Sequence, residues 1–190
     1  MDWIIFGLVV IWLAMVSWFD IRKNEIPHSA WVIIPIILAG TYRIWQGGWP
    51  LVLLTAFVVV VSERERLSIL FQMDELGQII TWLPLLFLGA FFAVQISPIA
   101  ALAIIGFWAA WEFKWWGGAD ATAAITLILI YPELIFIVAF LGVHVFVTIG
   151  LAIRSLIKEK SVKLHKIPGL PLLLLAVLSL QITHYFFNLA

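Results

Sequence analysis

Residues 3–19 read WIIFGLVVIWLAMVSWF, an apolar run without a charged side chain, and Asp20 follows it directly. As a helix, this run would rise roughly 25 Å, which approaches the thickness of the hydrocarbon core of a bilayer. The start of the chain, MDWIIF, lacks the features of a secretory signal, namely a basic region and a small-residue cleavage site. We therefore expect the run to stay in the protein as a permanent membrane helix.

The composition of the whole chain indicates that its solvent is lipid. Of the 190 residues, 64% are hydrophobic and 12% are charged. A water-soluble domain of this size could not hide so many apolar residues in its core. We predict an all-α fold, a polytopic transmembrane bundle of six to eight helices forming a single domain over residues 1–190. The candidate spans are residues 3–19, 31–45, 50–61, 79–94, 98–111, 121–130, 134–153 and 170–187.

Charge, cysteine content and histidine spacing exclude several classes of protein. The formal net charge is zero, so nothing in the overall balance points to nucleic acid as a partner. The chain has no cysteine, which excludes disulfides, a Cys-ligated zinc and a thiol nucleophile. His144, His165 and His184 lie far apart with no acid at ligand spacing, and His28 is expected to cap a helix at the interface, so we expect neither a metal site nor a cofactor.

The positions of the basic residues predict which loops face the cytoplasm. Lys and Arg collect in cytoplasmic loops, and eight spans that begin outside put every second loop inside. On this topology the protein is a multi-pass protein of the cytoplasmic membrane, with Asp20 and Asp120 at the cytoplasmic face. Arg43 alone lies near an outer edge. The basic residues in loops predicted to be inside are Arg22, Lys23, Arg64, Arg66, Lys114, Arg154, Lys158, Lys160, Lys163 and Lys166.

Two segments between the spans have a distinct composition. Residues 62–78 mix six charged side chains with apolar ones, which predicts an amphipathic helix at the cytoplasmic interface. Residues 154–167 form a basic cytoplasmic loop that would contact anionic lipid. For residues 62–78, a solvated connector is the alternative that we prefer to any catalytic role. For residues 154–167, we predict a topology signal and no catalytic role.

Asp20 and Asp120 are our candidates for chemistry. Asp20 closes the first span, and Asp120 follows Gly117, Gly118 and Ala119 at the start of the sixth. Ionisable groups at membrane depth are costly and are usually functional. The glycines would allow a sharp turn at the helix start and the close approach of a substrate backbone.

A pair of carboxylates held close together can hydrolyse a peptide bond. The two groups cannot both stay ionised, so they share a proton and act as a base toward water and an acid toward the leaving amine. Each aspartate also has an ordinary interpretation when taken singly. Asp120 would then be a helix N-cap, and Asp20 would be a solvated acid at the interface.

Three short motifs bear on this choice. Residues 20–27 read DIRKNEIP, in which the first acid is followed by a short basic loop and Ile-Pro. Residues 117–121 read GGADA, and residues 167–172 read IPGLPL. In this order they resemble the motifs of the type IV prepilin peptidase and archaeal preflagellin peptidase family, which are intramembrane aspartic proteases of the GxGD type.

The resemblance implies an aspartic endopeptidase that removes the N-terminal leader of type IV pilin-like precursors at the cytoplasmic face. Its partners would be the lipid bilayer and the prepilin or preflagellin precursors. Asp20 and Asp120 would be catalytic, and Glu25 and Glu112 would attract the basic leader. The residues that would shape the site are Gly117, Gly118, Ala119, Ile26, Pro27, Pro168, Gly169 and Pro171.

The chain also departs from the family pattern. The interval between the two aspartates is longer than expected, Ala119 replaces the second glycine, and Thr122 occupies a position where lysine is common. The cysteine-rich domain that bacterial members use for N-methylation is absent from these residues. Only the peptidase activity therefore carries over.

Two other functions remain open from the sequence. An ion- or proton-coupled transporter also uses intramembrane acids and glycine-broken helices, although it predicts acids near the midplane and related halves. A non-catalytic assembly subunit would use the aspartates only to cap helices. The hypothesis of a non-catalytic assembly subunit predicts that Asp20→Asn and Asp120→Asn leave function intact.

Overall fold

The computed structural model describes residues 3–23, 32–64, 69, 75–159 and 169–187. Within these ranges the protein is entirely helical, with eight α-helices and no strand, so the prediction of an all-α fold is confirmed. The helices are α1 (Trp3–Lys23), α2 (Ile34–Trp45), α3 (Trp49–Ser62), α4 (Glu75–Ile96), α5 (Pro98–Glu112), α6 (Gly118–Ile130), α7 (Leu134–Glu159) and α8 (Gly169–Phe187).

The chain divides into two compact units, each of which is described by itself. The first unit combines Met1–Trp31 with Leu134–Ala190, and the second is Val32–Glu133. Asp20 therefore belongs to the first unit and Asp120 to the second. The prediction of a single membrane domain over residues 1–190 stays a prediction.

Helix α8 forms the centre of the first unit, because it packs against both α1 and α7. Its buried side chains recur at helical spacing and include Leu173, Val177 and Leu180. Helix α7 contributes the buried rings of Phe136 and Phe140, one turn apart. The core of this unit is thus built from apolar stripes on neighbouring helices.

Helix α6 is the central helix of the second unit and contacts α2, α3 and α5. Every side chain from residue 123 to residue 129 is buried, as expected for a helix that is apolar on all sides and enclosed by others. Helices α3 and α4 approach each other closely at Gly89, where an added Cβ would lie 3.1 Å from the Cα of Leu54. Asp120 therefore lies on the first turn of a helix whose other residues are held in place by packing.

One helix among the described residues, Trp3–Arg22, is long and apolar enough to cross a membrane by length and composition. Six further apolar helices within these ranges are shorter: Trp49–Ser62, Thr81–Ile96, Pro98–Glu112, Gly118–Ile130, Leu134–Gly150 and Gly169–Thr183. The polytopic transmembrane bundle therefore stays a prediction.

The helix bounds refine the predicted spans. Helix α7 continues to Glu159, so the first part of the predicted loop 154–167 is helical, and the rest of that loop lies outside the described residues. The predicted amphipathic segment 62–78 is described mainly at its two ends, where α3 ends at Ser62 and α4 begins at Glu75.

Candidate functional site

Asp20 lies on the inward-facing side of α1. Successive helical residues are rotated by about 100°, which puts Asp20 at the middle of the stripe formed by the buried residues Val9, Leu13, Val16 and Ser17. Asp20 itself is half-buried, and its Oδ2 atom is shielded from solvent. Helix α1 continues past Asp20 to Lys23, so the acid lies on the last full turn rather than after the helix.

The basic residue nearest to Asp20 along α1 is turned to the opposite face. The Arg22 guanidinium carbon lies 4.1 Å from the centroid of the Trp18 ring, in the geometry of a cation–π contact. Both residues are on the exposed side of the helix. This contact directs the charge of Arg22 away from the face that carries Asp20.

Asp120 is the third residue of α6, and its carboxylate is folded back over the start of the helix. Gly117 is the N-cap, and its carbonyl accepts the first helical hydrogen bond from the Ala121 N–H at 3.0 Å. A Cβ on Gly117 would lie 3.2 Å from Asp120 Oδ2 and 3.8 Å from its Cγ. The free N–H groups and the dipole of a helix N-terminus favour a negative charge there.

The two glycines before Asp120 provide space rather than unusual backbone angles. Gly117 has φ −71° and ψ 145°, which any residue can adopt. At Gly118, an added Cβ would lie 3.0 Å from the indole Nε1 of Trp111. The sharp turn that the sequence predicted at the glycines instead falls at Lys114, which has a left-handed φ of 58°.

The turn between α5 and α6 is closed by a complete Schellman motif. The Lys114 N–H donates to Trp111 O and the Trp115 N–H donates to Ala110 O, both at 2.9 Å. Trp116 stacks on Phe107 of α5, with ring centroids 5.1 Å apart and planes inclined by 11°. These contacts fix the direction in which the chain enters α6 and so the position of Asp120.

Glu112 at the end of α5 is joined to the end of α3. Arg64 Nη1 and Nη2 donate to the two carboxylate oxygens of Glu112 at 2.8 and 2.9 Å. The Trp108 indole N–H donates to Glu112 Oε1 at 3.2 Å, and Arg64 also donates to the Val61 carbonyl at 3.3 Å. Glu112 thus has a bidentate cation partner within the protein, and its predicted role in leader binding stays a prediction.

The remaining predicted site residues fall in different parts of the chain. Gly169 is the buried first residue of α8, and Pro171 is half-buried on its first turn. Ala119 is half-buried between Gly118 and Asp120, and the Thr122 hydroxyl donates to the Gly118 carbonyl at 2.8 Å. The predicted residues outside the described ranges are Glu25, Ile26, Pro27 and Pro168.

The second unit therefore brings together Glu112, Gly117, Gly118, Ala119 and Asp120, all around one turn. The first unit holds Asp20, Gly169 and Pro171. Within the part of the chain that the structure describes, no three His, Cys, Asp or Glu side chains are grouped so that they could hold a metal ion.

Trp111 and Arg64 are structural partners of the site that the sequence did not single out. The indole of Trp111 packs on Gly118, at the start of the helix that carries Asp120. Arg64 was expected in a solvated connector, whereas it pairs with a glutamate 48 residues away. The sequence signal for the contact between Trp111 and Gly118 is a tryptophan close to a Gly-Gly pair. The sequence contains no local signal for the pairing of Arg64 with Glu112.

Comparison with protein-family models, with curated proteins and with solved structures finds no match for this chain.

Proposed function

We propose that the protein is a membrane aspartic endopeptidase that uses Asp20 and Asp120 as a catalytic pair. The observation that carries the proposal is that both acids lie at helix ends and are at least half-buried. Asp20 continues the buried stripe of α1, and the Asp120 carboxylate folds over the N-terminus of a buried helix. A merely solvated acid would have no reason to occupy an inward-facing position, where desolvation is costly.

The membrane location is supported by the outer surfaces of the helices. On α1, Ile4, Leu8 and Ile11 are all more than half exposed, and on α7 Phe146 is 80% exposed. Apolar surface of this kind is unfavourable in water and is matched by lipid chains. The proposal is a multi-pass protein of the cytoplasmic membrane whose active side faces the cytoplasm. Its shorter helices would extend into flanking residues, run partly outside the hydrocarbon, or border protein-lined cavities.

The proposed reaction is hydrolysis of one peptide bond. One carboxylate accepts a proton from water as the water oxygen attacks the scissile carbonyl carbon, and the other, protonated, carboxyl donates a hydrogen bond to the carbonyl oxygen. The C–N bond then breaks as the nitrogen takes up a proton, which gives a carboxylic acid and an amine. Gly117 has no side chain to obstruct an extended substrate backbone beside Asp120.

The proposed substrates are type IV pilin-like precursors, either prepilins or preflagellins. Such a precursor has a basic leader followed by an apolar helix. The apolar helix would pack laterally among the enzyme's helices in the bilayer, and the cleavage site would be presented unwound at the cytoplasmic interface. The resemblance of residues 20–27, 117–121 and 167–172 to the prepilin peptidase motifs supports this substrate class.

The proposal is tested by cleavage of prepilin and preflagellin leader substrates in detergent or in lipid vesicles. Wild-type protein is compared with Asp20→Asn and Asp120→Asn, and the folding of each variant is verified by thermal unfolding. Glu133→Gln is a matched acid-to-amide control, since Glu133 is exposed and lies outside all three motifs. We expect wild type and Glu133→Gln to cut the leader and each aspartate variant to lose activity at least a thousandfold.

The other outcomes separate the competing functions. Cleavage by both folded aspartate variants would show that the acids are not catalytic. If wild type cuts no substrate but moves ions across vesicle membranes in an Asp-dependent manner, the results favour a transporter over a peptidase. If neither activity is found and both variants behave as wild type in assembly, the results favour a non-catalytic assembly subunit.

A further inference from the structure

Ser17 is a buried hydroxyl one helical turn before Asp20. Its side chain is 5% exposed, and its Oγ has no hydrogen-bond partner among the described residues. Residues three apart on a helix share a face, with Cβ atoms about 5–6 Å apart. The hydroxyl of Ser17 and the carboxylate of Asp20 therefore border the same part of the inward face of α1.

Among the described residues, most helical serine and threonine hydroxyls are hydrogen-bonded, whereas those of Ser17 and Thr148 are buried without a partner. A helical serine or threonine ordinarily donates to the carbonyl four residues earlier. The side chains that do so here, at 2.8 to 2.9 Å, are Thr41, Thr55, Ser62, Thr122, Thr126, Ser179 and Thr183. Ser17 Oγ makes no such bond to the Leu13 carbonyl.

A buried hydroxyl without a partner costs free energy unless something else binds it. An interior apolar helix face would be more stable with alanine at this position, because alanine has the higher helix propensity and no polar atom. Ser17 is therefore more easily explained by a ligand that the hydroxyl binds than by packing. The candidate ligand must be small and polar, since the side chain is nearly enclosed.

We propose that Ser17 is a further catalytic residue that holds the hydrolytic water against Asp20, an inference that rests on the proposed function. Cβ atoms three residues apart on a helix are about 5–6 Å apart, a separation that one hydrogen-bonded water molecule can bridge. The water donates one hydrogen to the Asp20 carboxylate and the other to Ser17 Oγ, which directs an oxygen lone pair at the scissile carbonyl. As the new C–O bond forms, one O–H bond of the water breaks and its proton passes to Asp20, while the π electrons of the carbonyl move to its oxygen, which the second, protonated carboxyl hydrogen-bonds; Ser17 is unchanged.

The test compares wild type with Ser17→Ala, Ser17→Thr and a matched serine variant, Ser179→Ala. Ser179 also lies in the first unit, but its hydroxyl donates to Leu175 O at 2.8 Å. For each protein, kcat and KM for a leader substrate are measured together with the temperature of thermal unfolding.

We expect Ser17→Ala to unfold at the same temperature as wild type or a higher one, because an unpaired buried hydroxyl is removed. Its kcat should fall roughly ten- to hundredfold at nearly constant KM, because only the orientation of the water is lost. Ser17→Thr keeps the hydroxyl and should recover most of kcat. Ser179→Ala should keep wild-type kcat.

The outcomes that overturn the inference are distinct from those that overturn the proposed function. Suppose that wild type cuts the leader, Asp20→Asn is inactive and Ser17→Ala retains full kcat. Ser17 then has no catalytic role, but the result agrees with catalysis by the aspartate pair. If the loss in Ser17→Ala is accompanied by a lower unfolding temperature and is not recovered by Ser17→Thr, the hydroxyl is structural. If wild type cuts no leader, the proposed function is wrong and the inference is lost with it.

Discussion

The Asp120 carboxylate folds back across the first turn of α6 toward Gly117, to the place where a side chain on that residue would begin. A Cβ on residue 117 would be 3.2 Å from Asp120 Oδ2, closer than an unstrained contact. The glycine therefore keeps open the space that the carboxylate occupies. Its φ and ψ angles are ordinary, so a substitution there acts through this contact and leaves the backbone unstrained.

Gly117→Ala is expected to displace the Asp120 carboxylate by a few tenths of an ångström without unfolding the protein. If Asp120 is catalytic as proposed, its orientation matters to the reaction, and kcat for leader cleavage should fall roughly tenfold. Steady-state kinetics and thermal unfolding measure the two effects separately. Gly106→Ala in α5 is the control, since an added Cβ there meets nothing within 4 Å. Equal activity of the two variants would show that the contact does not position the acid.

Gly118→Ala should force the Trp111 indole to move, because the added Cβ would lie 3.0 Å from Nε1. We expect a loss of about 1–2 kcal/mol in the free energy of unfolding, as in other overpacked sites, together with lower activity. Trp111→Phe has a smaller ring and should relieve the clash. A double-mutant cycle of Gly118→Ala with Trp111→Phe should therefore show a coupling free energy, and strictly additive effects would contradict the contact.

Arg64 and Glu112 should behave as one unit. Both side chains are partly exposed, with 33% and 23% of their surface accessible, so we expect the bidentate pair to contribute only about 1 kcal/mol. Arg64→Gln and Glu112→Gln should therefore cause similar losses of stability, and the double variant little more than either. Chemical unfolding in detergent at low and high salt provides the measurement.

The same two variants test the predicted role of Glu112 in leader binding. If Glu112 attracts the basic leader, Glu112→Gln should raise KM for a Lys- or Arg-rich leader, and Arg64→Gln should lower it or leave it unchanged. If Glu112 serves only as the partner of Arg64, both variants should change KM alike. A leader with its basic residues replaced by glutamine is the matched substrate control.

Gly89→Ala is expected to separate α3 from α4. The added Cβ would lie 2.8 Å from Phe57 Cδ2 and 3.1 Å from the backbone Cα of Leu54, which cannot move away without shifting the helix. We expect a loss of roughly 1–3 kcal/mol in the free energy of unfolding. Gly106→Ala should be neutral or stabilising by up to about 1 kcal/mol, because alanine favours the helix. A stability of Gly89→Ala equal to that of Gly106→Ala would contradict the close approach.

Much of the secondary structure could be predicted from the sequence, because apolar runs interrupted by proline, glycine or charge mark helices directly. The predicted spans 3–19, 98–111 and 121–130 correspond to α1, α5 and α6. The boundaries were less predictable, since α1 runs on to Lys23 and α6 begins at Gly118. Hydrophobicity identifies the apolar part of a helix, whereas its ends depend on caps and on the turns that follow.

Composition and the order of the apolar runs suffice to predict a helical, apolar protein and to identify Asp20 and Asp120 as acids at the ends of such runs. The side of α1 on which Asp20 lies depends on helix packing. Helix α1 is apolar around its whole circumference, so no periodicity reveals which side is buried, and that side becomes defined only when α8 packs against it. The contacts of Gly118 with Trp111 and of Glu112 with Arg64 depend likewise on packing between helices, because they join residues that local sequence does not relate.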